Sequence, residues 1–178
     1  EFVVPGDLRV VLGPDSEVGR AIARHRFDLA DRLLDRWRHV AGRQVYLEIV
    51  DHRTAPRDPG RHWPGPDLST AMARRMWGYA AERDVPAVLT NAVRYIRPRQ
   101  AATADLLDAI RRLVPLDSRH LDRENSGGFL AAQSHMRGVA EQVAGSAAGR
   151  LLGVTADLAQ ECVLDPVGDF GIGDIHVP

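Results

Sequence analysis

Leu8-Arg9-Val10-Val11-Leu12 is a short apolar run with β-branched residues, closed by Gly13-Pro14, which predicts a buried strand and a turn. Asp15 and Ser16 are placed to cap a helix whose apolar face is Val18, Ala21 and Ile22. A second helix is expected from about Asp28, with Ala30, Leu33, Leu34, Trp37 and Val40 at alternating three- and four-residue spacing and Gly42 as its stop. Gln44 to Val50 alternates Val45, Leu47, Ile49 with Tyr46, Glu48, Val50. Both sets are largely apolar, as in a parallel strand covered on both sides.

Pro56, Pro59, Gly60, Pro64, Gly65 and Pro66 mark residues 53–66 as a loop. Asp67 is expected to open a helix carrying Leu68, Met72, Met76 and Tyr79, and residues 85–90 read as another short strand. Pro98 suits the first turn of a helix whose stripe is Leu106, Leu107, Ile110 and Leu113. The order β, α, α, β, α, β, α over residues 8–113 predicts parallel strands joined by helical crossovers, hence an α/β fold. After Pro115 come a polar, turn-rich stretch and two helices, about 133–145 and 147–162. Their stripes are Met136, Val139, Ala140, Val143 and Leu151, Val154, Leu158, Cys162. Three strands are too few to close a barrel, and the first enters with no partner upstream, so an N-terminal part of the domain is expected to lie outside this chain.

The net charge of the 178 residues is −1, whereas a duplex-binding module is usually basic. All 23 basic residues are arginine, a composition that fits a GC-rich genome more than a functional choice. The single cysteine, Cys162, permits no internal disulfide and fits a reducing compartment, so a cytoplasmic location is expected. No run is long enough to span a membrane, and Glu1-Phe2-Val3-Val4-Pro5 has neither an initiator methionine nor the features of a signal peptide.

Four stretches, in order, resemble the bacterial DNA polymerase III alpha family. Tyr46-Leu47-Glu48-Ile49-Val50-Asp51-His52 is similar to its "YLEL" strand with a following His. Residues 85–95, Val-Pro-Ala-Val-Leu-Thr-Asn-Ala-Val-Arg-Tyr, resemble "LPLVATNDVHY". Residues 104–111, Ala-Asp-Leu-Leu-Asp-Ala-Ile-Arg, resemble the helix that follows. Phe129-Leu130 with Met136, Leu158-Ala159 with Cys162, and His176-Val177-Pro178 resemble "YLKS-x-x-E-M", "I-A-x-x-C" and "HLP".

The resemblance covers residues 44–178. It implies a partial PHP-type (polymerase and histidinol phosphatase) distorted β/α barrel over residues 1–115, followed by a helical connector over 116–178 leading to a polymerase palm outside this chain. The wording around Asn91-Ala92-Val93 looks most like the error-prone branch. The resemblance further implies a DNA-directed DNA polymerase parent active in replication and damage-induced repair synthesis. DNA, nucleotides and replication accessory subunits are then its partners, and Mg²⁺ is the cofactor in its palm. No catalytic residue and no cofactor are expected in the segment itself, which reads as a scaffold able to self-associate through open strand edges.

PHP domains resemble metal-dependent phosphoesterases, in which clustered His and carboxylate ligands hold metals that activate water. The resemblance places one ligand position at His52, retained but vestigial. Two others fall on Ala92 and Arg94, where the family has Asp and His. Alanine has no donor atom, and arginine is a fixed cation without an acceptor lone pair.

Other chemistry-bearing residues read as structural. Glu48 is expected to face the interior or pair with an arginine. Asp174-Ile175-His176 has the spacing of a metal pair but lies in a turn-rich tail. Gly168, Gly171 and Gly173 lack the strand and helix of a phosphate loop, and Ser134-His135 lacks a nucleophile elbow. Cys162, Trp37, Trp77 and Tyr79 are expected in the core, and Trp63 exposed in its loop. A truncated stand-alone PHP phosphoesterase and an unrelated α/β binding module remain the alternatives.

Overall fold

The computed structural model describes residues 8–55, 65–117 and 123–169. Strands β1 (Val10–Leu12), β2 (Val45–Val50) and β3 (Ala87–Thr90) form one sheet in the order β1-β2-β3. Both pairings are parallel, with Val10 opposite Val45 and Leu47 opposite Ala87. Six helices complete the described chain. They are α1 (Glu17–Ala23), α2 (Phe27–Ala41), α3 (Thr70–Glu82), α4 (Ala101–Arg112), α5 (Gln133–Ala144) and α6 (Ala148–Glu161). A 3₁₀ turn at Pro98–Gln100 leads into α4. The expected alternation and the parallel pairing are both observed. Among the described residues the sheet is open and is not a barrel.

Helix starts follow the capping chemistry. Ser16 accepts a hydrogen bond from Gly19 N at 3.0 Å and caps α1. For α3 the cap is Ser69, which accepts from Met72 N. Asp67, expected to open that helix, instead accepts from Ser69 N at 3.0 Å and holds the cap in place. Gly42 ends α2 with φ 58°, a conformation that glycine adopts without a Cβ clash.

One core joins the sheet to the helices. Leu12, Leu47, Ile49 and Leu89 on one sheet face meet Ile22, Leu34, Met72 and Met76, and Val139 of α5 and Leu151 of α6 belong to the same cluster. Full burial of each such side chain stabilises by roughly 1.5–3 kcal/mol. On the opposite face Val50 and Val88 are buried, but Tyr46 and Glu48 are only half-buried and Val11 is exposed. The covering expected on both sides of β2 is therefore partial. At β3 the sheet stops because α6 supplies the next partner. Thr155 Oγ1 accepts from Leu89 N at 2.8 Å and donates to Leu151 O at 2.8 Å. A helix hydroxyl thus occupies a donor that a fourth strand would have paired.

Three expectations are corrected. The stripe read for α4 is exposed, with Leu107 at 62% and Leu113 at 91% accessibility. The helix buries Ala101, Asp105 and Ala109 instead. That inward side carries an ion pair. Arg123 grips the buried Asp105 with two guanidinium nitrogens, which gives the carboxylate a partner there. Cys162 is exposed and follows the last residue of α6. Trp37 and Trp77 pack against the core but stay partly exposed, whereas Tyr79 is buried as expected. Trp63, Gly171, Gly173, and Asp174-Ile175-His176 lie outside the described residues.

Candidate functional site

In open parallel sheets ligands usually bind beyond the carboxyl ends of the strands. Here those ends release the loops beginning at Gly13, Asp51 and Asn91. His52 and Arg94, which the family resemblance singles out, follow β2 and β3 here, and Ala92 lies between Asn91 and Arg94.

Glu48 and Thr90 point from the strands toward this region. Thr90 Oγ1 donates to Glu48 Oε1 at 2.6 Å, so of the two readings of Glu48 the partner found is a hydroxyl and not an arginine. A Cβ built on Gly13 would stand 2.2 Å from Glu48 Oε2. Only glycine lets the carboxylate lie against the end of β1.

Asp51 is buried, and both its oxygens accept from Thr70 Oγ1, at 3.0 and 2.9 Å, while Oδ1 also accepts from Arg53 N at 2.8 Å. The carboxylate therefore ties β2 to the first turn of α3.

His52 Nε2 lies 3.0 Å from Asn91 O. A carbonyl only accepts, so Nε2 carries the proton and donates. Burial pushes the imidazole pKa below its ordinary value, although that hydrogen bond and the nearby Asp51 charge oppose the shift. The ring is packed against glycines. A Cβ on Gly127 would be 2.7 Å from His52 Cγ, and one on Gly128 would be 3.2 Å from Ala92 O.

Asn91 and Asn125 bind this region together. Asn91 Nδ2 donates to Gly127 O at 2.8 Å and to Phe129 O at 2.7 Å. Asn125 Nδ2 donates to His52 O at 2.7 Å, and its Oδ1 accepts from Gly127 N. The sequence reading missed both asparagines as organising residues. The available signal was the amide of Asn91 at a strand end and the turn-forming Asn125-Ser126-Gly127-Gly128.

Ala92 adopts φ 40°, in the left-handed region that non-glycine residues enter at a cost and that Asn and Asp tolerate best. Arg94 pairs with Asp108 of α4, and its backbone N donates to Gly128 O at 2.9 Å. The guanidinium beside Asp108 holds that carboxyl below its usual range.

Four side chains at these strand ends thus have partners within the chain. Asp51 and Glu48 are held by hydroxyls, His52 Nε2 by a carbonyl, and Arg94 by Asp108. Among the described residues no three His, Cys, Asp or Glu side chains are grouped to hold a metal ion. What remains is a hydrogen-bonded junction that locks the loops after β2 and β3 to residues 123–129.

No family model matches the chain. It is similar to DNA polymerase III subunit alpha of Xylella fastidiosa strain 9a5c, 28% identical over 174 residues, or 97% of this chain and 13% of that protein. The subunit alpha of strain Temecula1 / ATCC 700964 matches to the same extent. The chain therefore spans 13% of the length of the curated relatives it matches, and within that span the likeness runs nearly end to end.

Proposed function

We propose that this chain is a PHP-type segment of a DNA polymerase III alpha chain of the error-prone branch, and that its role there is structural. The similarity across 97% of the chain to DNA polymerase III subunit alpha supports the polymerase parent. The observation that carries the non-catalytic reading is the state of the three ligand positions. Ala92 offers no donor, Arg94 is bound to Asp108, and His52 gives its Nε2 proton to Asn91 O. The left-handed φ of Ala92 suits an Asp or Asn better than alanine, as expected where a ligand has been lost and its backbone kept.

In this reading the parent is a cytoplasmic enzyme that takes DNA and nucleotides as substrates and uses Mg²⁺ in a palm outside this chain. It serves replication and damage-induced repair. Residues 1–115 are the barrel part and 116–178 the helical connector. The half-open sheet face at Val11, Tyr46 and Glu48 packs inside the parent, where accessory subunits also dock. In the isolated segment the outer edge of β1, which pairs with no other strand among the described residues, is a route to self-association. None of the described helices is long and apolar enough to cross a membrane.

The test uses the full-length parent, purified and given a primed template with Mg²⁺, and separately a phosphomonoester with Mn²⁺ or Zn²⁺. The expected result is primer extension with phosphoesterase activity at background. Metal-dependent hydrolysis abolished by His52→Ala would overturn the structural role, and absence of primer extension would overturn the polymerase parent.

A further inference from the structure

The opposite end of the sheet, where the strands begin, holds a cleft of about 690 Å³ that the reading above does not use. Its walls carry Arg38, Arg43, Trp77, Asp84 and Arg150, and Leu151 forms part of its floor. Three arginines and one aspartate line it, in a chain whose overall charge is −1. Such a local concentration of one sign inside a concavity focuses potential on a small anion.

Each arginine is differently engaged. Arg38 Nη2 donates to Arg83 O at 2.8 Å and to Asp84 O at 3.4 Å, beyond the last residue of α3. It thereby offsets the partial negative charge at that helix end, which would otherwise repel an anion. The Arg150 guanidinium lies over the Trp77 ring, 5.2 Å from its centroid, a contact that orients it without consuming its N–H donors. Arg43 and Arg150 have no carboxylate partner among the described residues. By contrast Arg9, Arg83, Arg94 and Arg123 all meet a carboxylate within 3 Å.

Guanidinium forks match phosphate oxygens two at a time. The cleft volume suits a small molecule. A duplex requires a longer basic surface than one cleft in a chain of net charge −1.

We propose that this cleft is an anion site for an oligophosphate chain, of the kind carried by a nucleoside triphosphate or by inorganic polyphosphate. Arg43 and Arg150 grip the phosphates, Arg38 supplies a fixed positive wall, and Trp77 reports occupancy. The proposal concerns the amino ends of the strands and stands whether or not the polymerase reading holds.

The test titrates the 178-residue chain with inorganic tripolyphosphate and with ATP, followed by calorimetry and tryptophan fluorescence at low ionic strength. Both ligands are expected to bind, more weakly as salt rises. Each of Arg43→Ala and Arg150→Ala is expected to weaken binding about tenfold or more. Both side chains are exposed, so the urea midpoint of each variant should match the parent chain. Equal affinities would assign recognition to the phosphates alone, and a tenfold preference for ATP would add a stacked base. The fluorescence change should vanish in Trp77→Phe. No binding at millimolar ligand, binding unchanged in Arg43→Ala/Arg150→Ala, or a fluorescence change that survives Trp77→Phe would each overturn the proposal.

Discussion

Asn91 offers the sharpest test of the junction at the carboxyl ends of the strands. Its side chain is 6% exposed, and its amide donates to Gly127 O and Phe129 O at 2.8 and 2.7 Å. Asn91→Ala removes both bonds. Gly127 O keeps a partner, because Phe129 N donates to it at 2.8 Å, so one carbonyl is left with a lost donor. Two net hydrogen bonds at about 1 kcal/mol each, plus part of the cost of an unsatisfied carbonyl, give a loss of roughly 2–3 kcal/mol. With a urea slope of about 2 kcal/mol/M, the unfolding midpoint falls by roughly 1–1.5 M with the slope unchanged.

Asn91→Asp separates hydrogen bonding from packing. The shape is kept, but a carboxylate faces two carbonyl oxygens and cannot donate. The variant should be less stable than Asn91→Ala at pH 7. The carbonyl dipoles raise the folded-state pKa of the new carboxyl. The ionisation penalty is therefore absent below the unfolded carboxyl value of about 3.9, and it grows as pH rises through that value toward the folded one. Urea unfolding followed by circular dichroism at pH 7 and pH 3.5 reads both effects. If Asn91→Asp at pH 7 equals or exceeds Asn91→Ala in stability, the amide does not hold these loops as a double donor.

Two further outcomes follow from the same region. Ala92→Gly should raise stability by about 0.5–1 kcal/mol, because relief of the left-handed strain at φ 40° exceeds the added chain entropy of glycine; a lower melting temperature would show that no strain resides there. The pKa of His52 is depressed on folding, so the unfolded chain binds the extra proton first; stability is full above the ordinary imidazole value of about 6.5 and is lost as pH falls through the folded value. Urea midpoints at pH 7.5 and 5.5 should show that drop in the unsubstituted 178-residue chain and a smaller one in His52→Gln.

Periodicity along the chain was sufficient for the alternating helices and strands, and for the parallel pairing. These depend on local signals: the two-residue alternation in Val45–Val50, the Ser16 cap and the Gly42 stop. That Ala92 and Arg94 carry no metal-donor atom was likewise readable, because side-chain identity alone decides whether a donor atom exists. The reading failed where two good local solutions competed. Helix α4 carries Leu106, Leu107 and Ile110 on one side and Asp105 and Ala109 on another. Hydropathy favours the leucines as the buried face, and the partner that Asp105 meets on the inward side, Arg123, is 18 residues away in the chain. Cys162 fell on an apolar stripe, but it sits just past the last residue of α6 and is exposed.

Long-range hydrogen bonds were invisible for the same reason. The bonds from Asn91 span 36 and 38 residues, the one from Asn125 spans 73, and the one from Leu89 N to Thr155 spans 66. A sequence specifies what each residue prefers within a few neighbours of itself. Which donor meets which acceptor across the fold is settled only when the core brings the loops and helix ends together, and at the carboxyl ends of these strands that meeting leaves a sealed junction.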